Sequence, residues 1–335
     1  ILKMEVIMKR FILLLISLVL IVGCSAKPTE NNEIVEEVKE EVIEEIAEEV
    51  VEDTVDYSFK VLSPKGAPAL AILPLLEKNA DNVTTVDGGE LLQAALVNPS
   101  PEYDVIIAPS NLGAMLASND KTTYKMLAIV TWGNLYIVAE SEDSLNGGSI
   151  ALFGEGTVPG LVFEETMKNI SLEKTYFNSV ADAQGALLSG KFDSAMLAEP
   201  LATATINKAK ENGKELKIVA DLQENWEDLY DNDGYPQAAL FVIQEKYDEN
   251  PKLYNKLIED LDDFIDKIDD DEDELVTLVD KYGVDILGIP NGNIAKITFD
   301  RMNIDIEYAD ENKEELITFL KLFNIDDLSN ILIAK

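Results

Sequence analysis

Apolar residues come first as one nearly unbroken run, then at every fourth position of an acidic block. From Tyr57 onward they form short runs that alternate with helical spacing. This pattern predicts strands over 58–62, 83–86, 103–108, 125–130, 134–139, 149–153, 175–178, 193–198, 217–220 and 237–243. It predicts helices over 68–79, 89–97, 111–118, 158–169, 180–189, 201–212 and 246–268, with more helices toward the end. Short apolar runs fit buried strands, and i, i+3, i+4 spacing fits a helix with one buried face. Strands alternating with helices predict an α/β fold of βαβ units with mainly parallel sheets.

The pattern also repeats. "FKVLSPKGAPALAILPLLEK" (59–78) and "SIALFGEGTVPGLVFEETMK" (149–168) each give a strand, a glycine-containing turn, a proline near the helix start and a helix ending in Lys. Downstream, 82–116 lines up with 174–205. Each gives a strand, a turn and a Leu/Ala-rich helix, then an aromatic-Asp pair (Tyr103-Asp104; Phe192-Asp193) and an apolar strand. Each closes on Ala and Pro (Ala108 and Pro109; Ala198 and Pro200). Two similar α/β lobes in succession are expected. Residues 125–140 and 235–246 are apolar extended runs without helices of their own, suited to carry the chain between lobes. The expected division is 57–135 with 240–335 for the first lobe and 136–239 for the second. Ligands of open α/β sheets bind beyond the carboxyl ends of strands, which here would face each other across a cleft.

The first apolar run, "FILLLISLVLIV" (11–22), follows Lys9 and Arg10 and precedes Gly23 and Cys24. At about 12 residues it suits a secretion-signal core and is short for a membrane span. Translation is expected to start at Met4 or Met8, with 1–23 as the signal. "LIVGC" resembles the bacterial lipobox, which implies lipidation of Cys24, a membrane anchor and a location outside the plasma membrane. Residues 25–56 hold eleven Glu and two Asp against two Lys. That composition predicts a solvated spacer over 24–56. Ile34, Val38, Val42, Ile46 and Val50 would allow a partner-binding helix as the other reading.

Charge narrows the function. The 335 residues carry 64 acidic against 27 basic side chains, a formal net charge of -37, with no His and with Arg only at positions 10 and 301. Such a surface repels nucleic acid. Without His there is no Ser-His or Cys-His catalytic pair and no imidazole metal ligand. "GEGTVPG" (154–160) lacks the Gly-Lys-Ser/Thr of a P-loop and the glycine spacing of a dinucleotide fingerprint. "YDNDGYP" (230–236) lacks the alternating ligands of a calcium loop and reads as a turn. "DDDEDE" (269–274) reads as a solvated connection between helices.

In order and spacing, "SPKGAPALAI" (63–72), "DVIIAPSNLGAML" (104–116), "VTWGNLYIVAE" (130–140), "FGEGTVPGLVF" (153–163), "GALLSGKFDSAMLAEPLAT" (185–203) and "DLQENWEDLY" (221–230) resemble solute-binding proteins of ABC importers. The resemblance covers about residues 57–325. It is to the type II periplasmic-binding fold, in the group that binds nitrate, alkanesulfonates, taurine or thiamine pyrimidines. It implies two lobes joined by two crossovers, a small-molecule solute in the cleft, closure on binding, and ABC permease and ATPase partners. A monomer is expected, with no cofactor, no metal and no catalysis. A pyrimidine-synthesis-like enzyme on the same fold and a ligand-sensing surface lipoprotein are the alternatives.

The resemblance implies that the turns opening the helices line the cleft, although each could be ordinary helix capping. In the first lobe these are Ser63, Lys65, Gly66 and Ala67; Asp87 and Gly88; and Pro109, Ser110 and Asn111. In the second they are Gly154, Glu155, Gly156 and Thr157; Asn178; and Glu199. Free N–H groups at such turns suit a ligand acceptor. Trp132 and Tyr235, at the crossovers, could stack on a planar ligand or pack the lobes together. Lys65 is the one cation in these turns, beside the acids Asp87, Glu155 and Glu199. That departs from anion-binding relatives, which recruit Arg, Lys or His. A neutral or cationic solute, such as a heteroaromatic amine or pyrimidine, is expected.

Overall fold

The computed structural model describes residues 57–335. The predicted signal, Cys24 and the acidic spacer lie outside the described residues. Among the described residues there are eleven strands: β1 (Val61–Pro64), β2 (Val83–Val86), β3 (Val105–Pro109), β4 (Tyr124–Thr131), β5 (Leu135–Ala139), β6 (Ser149–Phe153), β7 (Glu173–Phe177), β8 (Ser194–Ala198), β9 (Lys217–Asp221), β10 (Ala238–Ile243) and β11 (Ile304–Tyr308). They form one sheet in the order β11-β4-β10-β3-β1-β2 and another in the order β7-β6-β8-β5-β9. The helices are α1 (Ala67–Ala71), α2 (Leu73–Asn79), α3 (Gly89–Leu96), α4 (Ser110–Ser118), α5 (Val158–Thr166), α6 (Val180–Leu188), α7 (Leu201–Glu211), α8 (Leu222–Tyr230), α9 (Gln244–Glu249), α10 (Pro251–Asp270), α11 (Glu272–Leu287), α12 (Gly292–Thr298) and α13 (Lys313–Leu320).

The two-lobed α/β architecture matches the expectation, but the sheets are mixed rather than mainly parallel. β1 runs parallel to β2 and β3, and β6 parallel to β7 and β8. β10 is antiparallel to β3 and β4, β11 to β4, and β5 to β8 and β9. Parallel neighbours need a crossover, usually a helix. β4 passes straight into β5 in the other sheet, and β10 returns from that sheet; each arriving strand fills an inner place of its sheet, antiparallel to its neighbours. Both are buried at every position, as strands covered on two faces must be.

The sequence repeat is a topological repeat. The order β10-β3-β1-β2 in one sheet is matched by β5-β8-β6-β7 in the other, antiparallel strand included. The paired aspartates do the same work in each lobe. Asp104 Oδ2 accepts the Lys60 N–H at 2.9 Å, and Asp193 Oδ2 accepts the Ser149 N–H at 2.8 Å, each 44 residues along the chain. Each carboxylate thus pins the start of its lobe's first strand to the strand beside it.

Three apolar clusters hold the fold. One lies between the first sheet and α1, α2, α10, α11 and α12. Another lies on the second sheet under α6 and α7. The third contains Leu62, Ile106 and Ile129 of the first sheet together with Ile137, Ile150 and Met196 of the second, so one core spans both lobes. Trp226 of α8 and Phe319 of α13 belong to it, with ring centroids 6.1 Å apart and both fully buried.

Three element expectations need correction. The helix expected over 246–268 is two, because Asn250 caps the second through the Leu253 N–H and Pro251 starts it. α8 was not expected as a helix; Asp221 caps it by accepting the Gln223 N–H. β11 falls where only helices were expected, although Ile304, Ile306 and Tyr308 alternate with Asp305 and Glu307. The acidic connection between α10 and α11 contains the cap Asp271, which accepts the Glu274 N–H.

Candidate functional site

Between the carboxyl ends of β1, β3 and β8 and the two crossovers lies a cavity of about 580 Å³. From the first lobe it is lined by Lys65, Gly66 and Ala67 after β1, by Gly89, and by Pro109 and Asn111 at the start of α4. From the second come Thr157, Val158 and Pro159 at the start of α5, and Ala198 and Glu199 after β8. The crossovers add Asn134, Gln237 and Ala238. The twin turns 63–68 and 153–159 thus meet across one space.

The turns are shaped by glycine. Gly66 has φ 93° and Gly154 φ 73°, a left-handed backbone that side-chain-bearing residues rarely adopt. Gly160 has a different reason. A Cβ there would sit 2.4 Å from the Gly154 carbonyl oxygen, which accepts the Gly160 and Thr157 N–H groups and the Thr157 hydroxyl. "GEGTVPG" is therefore a folded turn capping α5.

The expected free N–H groups at the first turn are mostly occupied. Lys65 N donates to Val86 O at 3.0 Å and Gly66 N to Leu287 O at 2.8 Å, while Pro68 has no N–H. Ala67, the next residue of the turn, lines the cavity.

Charge at the cleft is also largely internal. Lys65 Nζ pairs with Asp87 Oδ2 at 2.9 Å, where Asp87 is mostly exposed and outside the cavity lining. Glu199 is buried. Its Oε1 accepts from Arg301 Nε and from the Thr203 hydroxyl, at 2.8 and 2.7 Å, and its Oε2 from Thr203 N at 3.0 Å. Glu155 is exposed and is not among the lining residues. The acids Asp87, Glu155 and Glu199 are thus paired or turned outward.

The cleft's polar groups are instead amides. Asn134, 5% exposed, accepts from Gln237 Nε2 at 3.0 Å, and its carbonyl accepts the Glu199 N–H at 3.1 Å. Gln237 O accepts the Ser110 N–H at 3.0 Å. Ser110 Oγ, Asn111 Oδ1 and Gln237 Oε1 are buried without a hydrogen-bond partner. Buried polar atoms nearly always have one, so these three hold unused hydrogen-bonding capacity beside the cavity.

Of the residues singled out in the sequence, Lys65, Gly66, Ala67, Pro109, Asn111, Thr157 and Glu199 line the cavity. Ser63 lies beneath it, fully buried, with its hydroxyl donating to Pro64 O. Gly88 precedes α3, Gly154 and Gly156 shape the turn behind Thr157, and Asn178 is exposed before the capping Ser179. The two aromatics lie elsewhere. Tyr235 is fully buried against Trp226 and Phe319. Trp132 lines a separate cavity of about 450 Å³ among Asp266, Asp300, Asp305 and Glu307. Lobe packing, the other reading of these crossover aromatics, describes Tyr235. Asn134 and Gln237 were not singled out; their signal was position, as polar residues inside apolar crossover runs.

The separate acidic cavity has its own electrostatics. Burial, then the neighbouring Asp266 charge, raises the Asp305 carboxyl above its ordinary range; burial, then Asp305, does the same to Glu307. Among the described residues no group of three or more ligating side chains is placed to hold a metal ion, and no helix is long and apolar enough to cross a membrane.

No protein-family model matches the chain, and no curated protein matches it. Solved structures do. An ABC transporter protein from Parabacteroides distasonis is 25% identical with a TM-score of 0.64, over 82% of this chain and 95% of its own. The periplasmic aliphatic sulphonate-binding protein of Escherichia coli is 14% identical with a TM-score of 0.57, over 79% and 90%. The periplasmic nitrate-binding protein of Synechocystis PCC 6803 is 13% identical with a TM-score of 0.54, over 79% and 80%. The structural neighbours of this chain are ABC-transporter periplasmic binding proteins, and it shares their two-lobed α/β fold.

Proposed function

We propose that this protein is the extracytoplasmic solute-binding component of an ABC importer, lipid-anchored through Cys24, and that it catalyses nothing. It captures a small uncharged solute with hydrogen-bonding edges, such as a heteroaromatic amine or pyrimidine, and presents it to a permease driven by an ATPase. The fold supports the general role. The chemistry of the cleft supports the solute class, and one observation carries it: the cleft's charges, Lys65 and Glu199, are each paired with a protein partner, while Ser110 Oγ, Asn111 Oδ1 and Gln237 Oε1 are buried without one.

A volume of about 580 Å³ suits a small molecule. Pro64, Pro68, Pro109, Pro159, Val158 and Ala238 supply apolar walls for a flat body. The unpartnered amide oxygens accept, and the Ser110 hydroxyl can donate or accept, which suits a ring that carries N–H donors beside an acceptor. A net charge of -37 also works against concentrating anions at the cleft. Contacts with both lobes would favour the closed arrangement by their differential free energy.

The test is native mass spectrometry of protein purified from its own cells, followed by thermal-shift screening of neutral heteroaromatics, amines, sulfonates and nitrate. A retained neutral mass, and a rise in Tm with a neutral compound that is lost in Asn134→Ala, is expected. A rise with sulfonates or nitrate alone would overturn the solute class. No retained mass and no rise with any compound would overturn the binding role.

A further inference from the structure

We propose that Arg301 is a positioning residue for the cleft, an interlobe clasp that fixes the angle between the lobes by holding Glu199. This rests on the reading of the cleft as the binding site, and it adds how that site is kept in register.

Arg301 lies in the short turn Asp300–Met302 between α12 and β11, in the first-lobe part of the chain. Its Nε donates to Glu199 Oε1 and one terminal nitrogen to Thr203 Oγ1, both at 2.8 Å and both across in the second lobe. The same nitrogen donates to Ile297 O of α12 at 3.0 Å, which ties the fork to its own lobe. The backbone is gripped as well. Tyr136 Oη of β5 donates to Arg301 O at 2.7 Å, Trp132 N donates to Asn303 O at 2.8 Å, and the Asn303 amide donates to Gly133 O. The turn therefore touches the second lobe and the first crossover at once.

What it holds leads directly into the cleft. The Glu199 N–H bonds Asn134 O, Asn134 Oδ1 accepts from Gln237, and Gln237 O accepts the Ser110 N–H. Glu199, Asn134 and Gln237 all line the cavity. A single polar chain runs from Arg301 through the second lobe and both crossovers to the start of α4. The guanidinium is planar and presents several donors in a fixed fork, so it can engage the carboxylate and Thr203 together. A lysine could not. Contacts made at only one lobe angle bias the population toward that angle.

The experiment measures the angle directly and needs no solute. Spin labels are placed at exposed Gln93 on α3 and exposed Ala181 on α6, in a Cys24→Ser background, and their distance distribution is recorded with the melting temperature. Wild type should give one narrow distribution. Arg301→Met should broaden it, lengthen the mean distance and lower Tm by about 5 °C, because Glu199 is left buried and unpaired. Glu199→Gln added to Arg301→Met removes that stranded charge; the amide oxygen can still accept the Thr203 N–H, and the amide NH2 can donate to the Thr203 hydroxyl. Tm should then recover while the distribution stays broad. Should Arg301→Met fail to fold, this double variant carries the test alone. A narrow, wild-type distribution in either variant would overturn the clasp. So would recovery of both readouts in the double variant, which would make Arg301 only the neutraliser of Glu199. Either failure, with solute-induced stabilisation intact, leaves the binding role standing.

Discussion

Asp262→Asn should stabilise this protein at neutral pH, against the usual direction for substitutions of half-buried residues. Asp262 sits on α10 beside β11, in a space also lined by Glu259, Glu307 and Glu311. Burial, then the charges of Asp266, Asp305 and Asp263, pushes its carboxyl from the ordinary 3.8 up to about 6. Each unit is worth about 1.4 kcal/mol, so the displacement taken at face value is about 3 kcal/mol. Asp262 is half-buried, and water screens part of the repulsion, which brings the expected effect to about 1 kcal/mol. The sign follows from linkage. The folded state binds this proton more tightly than the unfolded chain, so stability rises as pH falls through about 6, and the full penalty applies above it.

Asparagine removes the penalty at all pH values. Its advantage should therefore be greatest at about pH 7.5, worth about 2–4 °C in Tm, and should vanish near about pH 4. The assay is thermal or urea unfolding of wild type and Asp262→Asn across that range, with exposed Asp263→Asn as the neighbouring control. A variant no more stable than wild type at about pH 7.5, or one whose advantage is the same at every pH, would refute the reasoning.

Two further substitutions probe how the lobes are built. Phe319→Ala should cost about 3–5 kcal/mol in urea unfolding, because Phe319 is fully buried between Trp226, Tyr235 and Phe323 in the core shared by both lobes; a loss under about 1 kcal/mol would show that the core closes over the gap. Asp104→Asn and Asp193→Asn should each cost up to about 1 kcal/mol, because both carboxylates bond the N–H that starts their lobe's first strand, and each has a further partner, Lys246 for Asp104 and the Ser149 hydroxyl for Asp193. A large effect of one with none of the other would break the equivalence of the repeat.

Much of the fold was legible because the buried strands are nearly continuous apolar runs. β10 and β5 announce themselves as Ala-Ala-Leu-Phe-Val-Ile and Leu-Tyr-Ile-Val-Ala. The repeat was legible because strand, turn and aspartate recur at matching intervals. β11 was hidden for the opposite reason: its alternating Ile304, Asp305, Ile306 and Glu307 lie in an acidic region whose general polarity outweighs a five-residue signal. α8 did carry a legible signal: a capping aspartate, an acid three residues on, and Leu222, Trp226, Leu229 and Tyr230 at helical spacing.

The site was less legible than the fold because its chemistry depends on pairs distant in sequence. Ala198-Glu199-Pro200 after a buried strand, at the mouth of a cleft, reads locally as a carboxylate offered to a ligand. Its partner Arg301 stands 102 residues away, in a stretch that local patterning assigns to a helix–helix region. Burying Glu199 alone would be costly, and a buried carboxylate keeps its charge only when paired and hydrogen-bonded. That condition, applied to the sequence, would have required a cation from somewhere in a chain with few of them and a single arginine after the signal segment. Arg301 was therefore a findable partner in principle, through scarcity rather than through any motif. Once it is assigned to Glu199, the cleft loses its apparent negative charge. Of the neutral and cationic solutes that the sequence left open, the proposed solute keeps the neutral one.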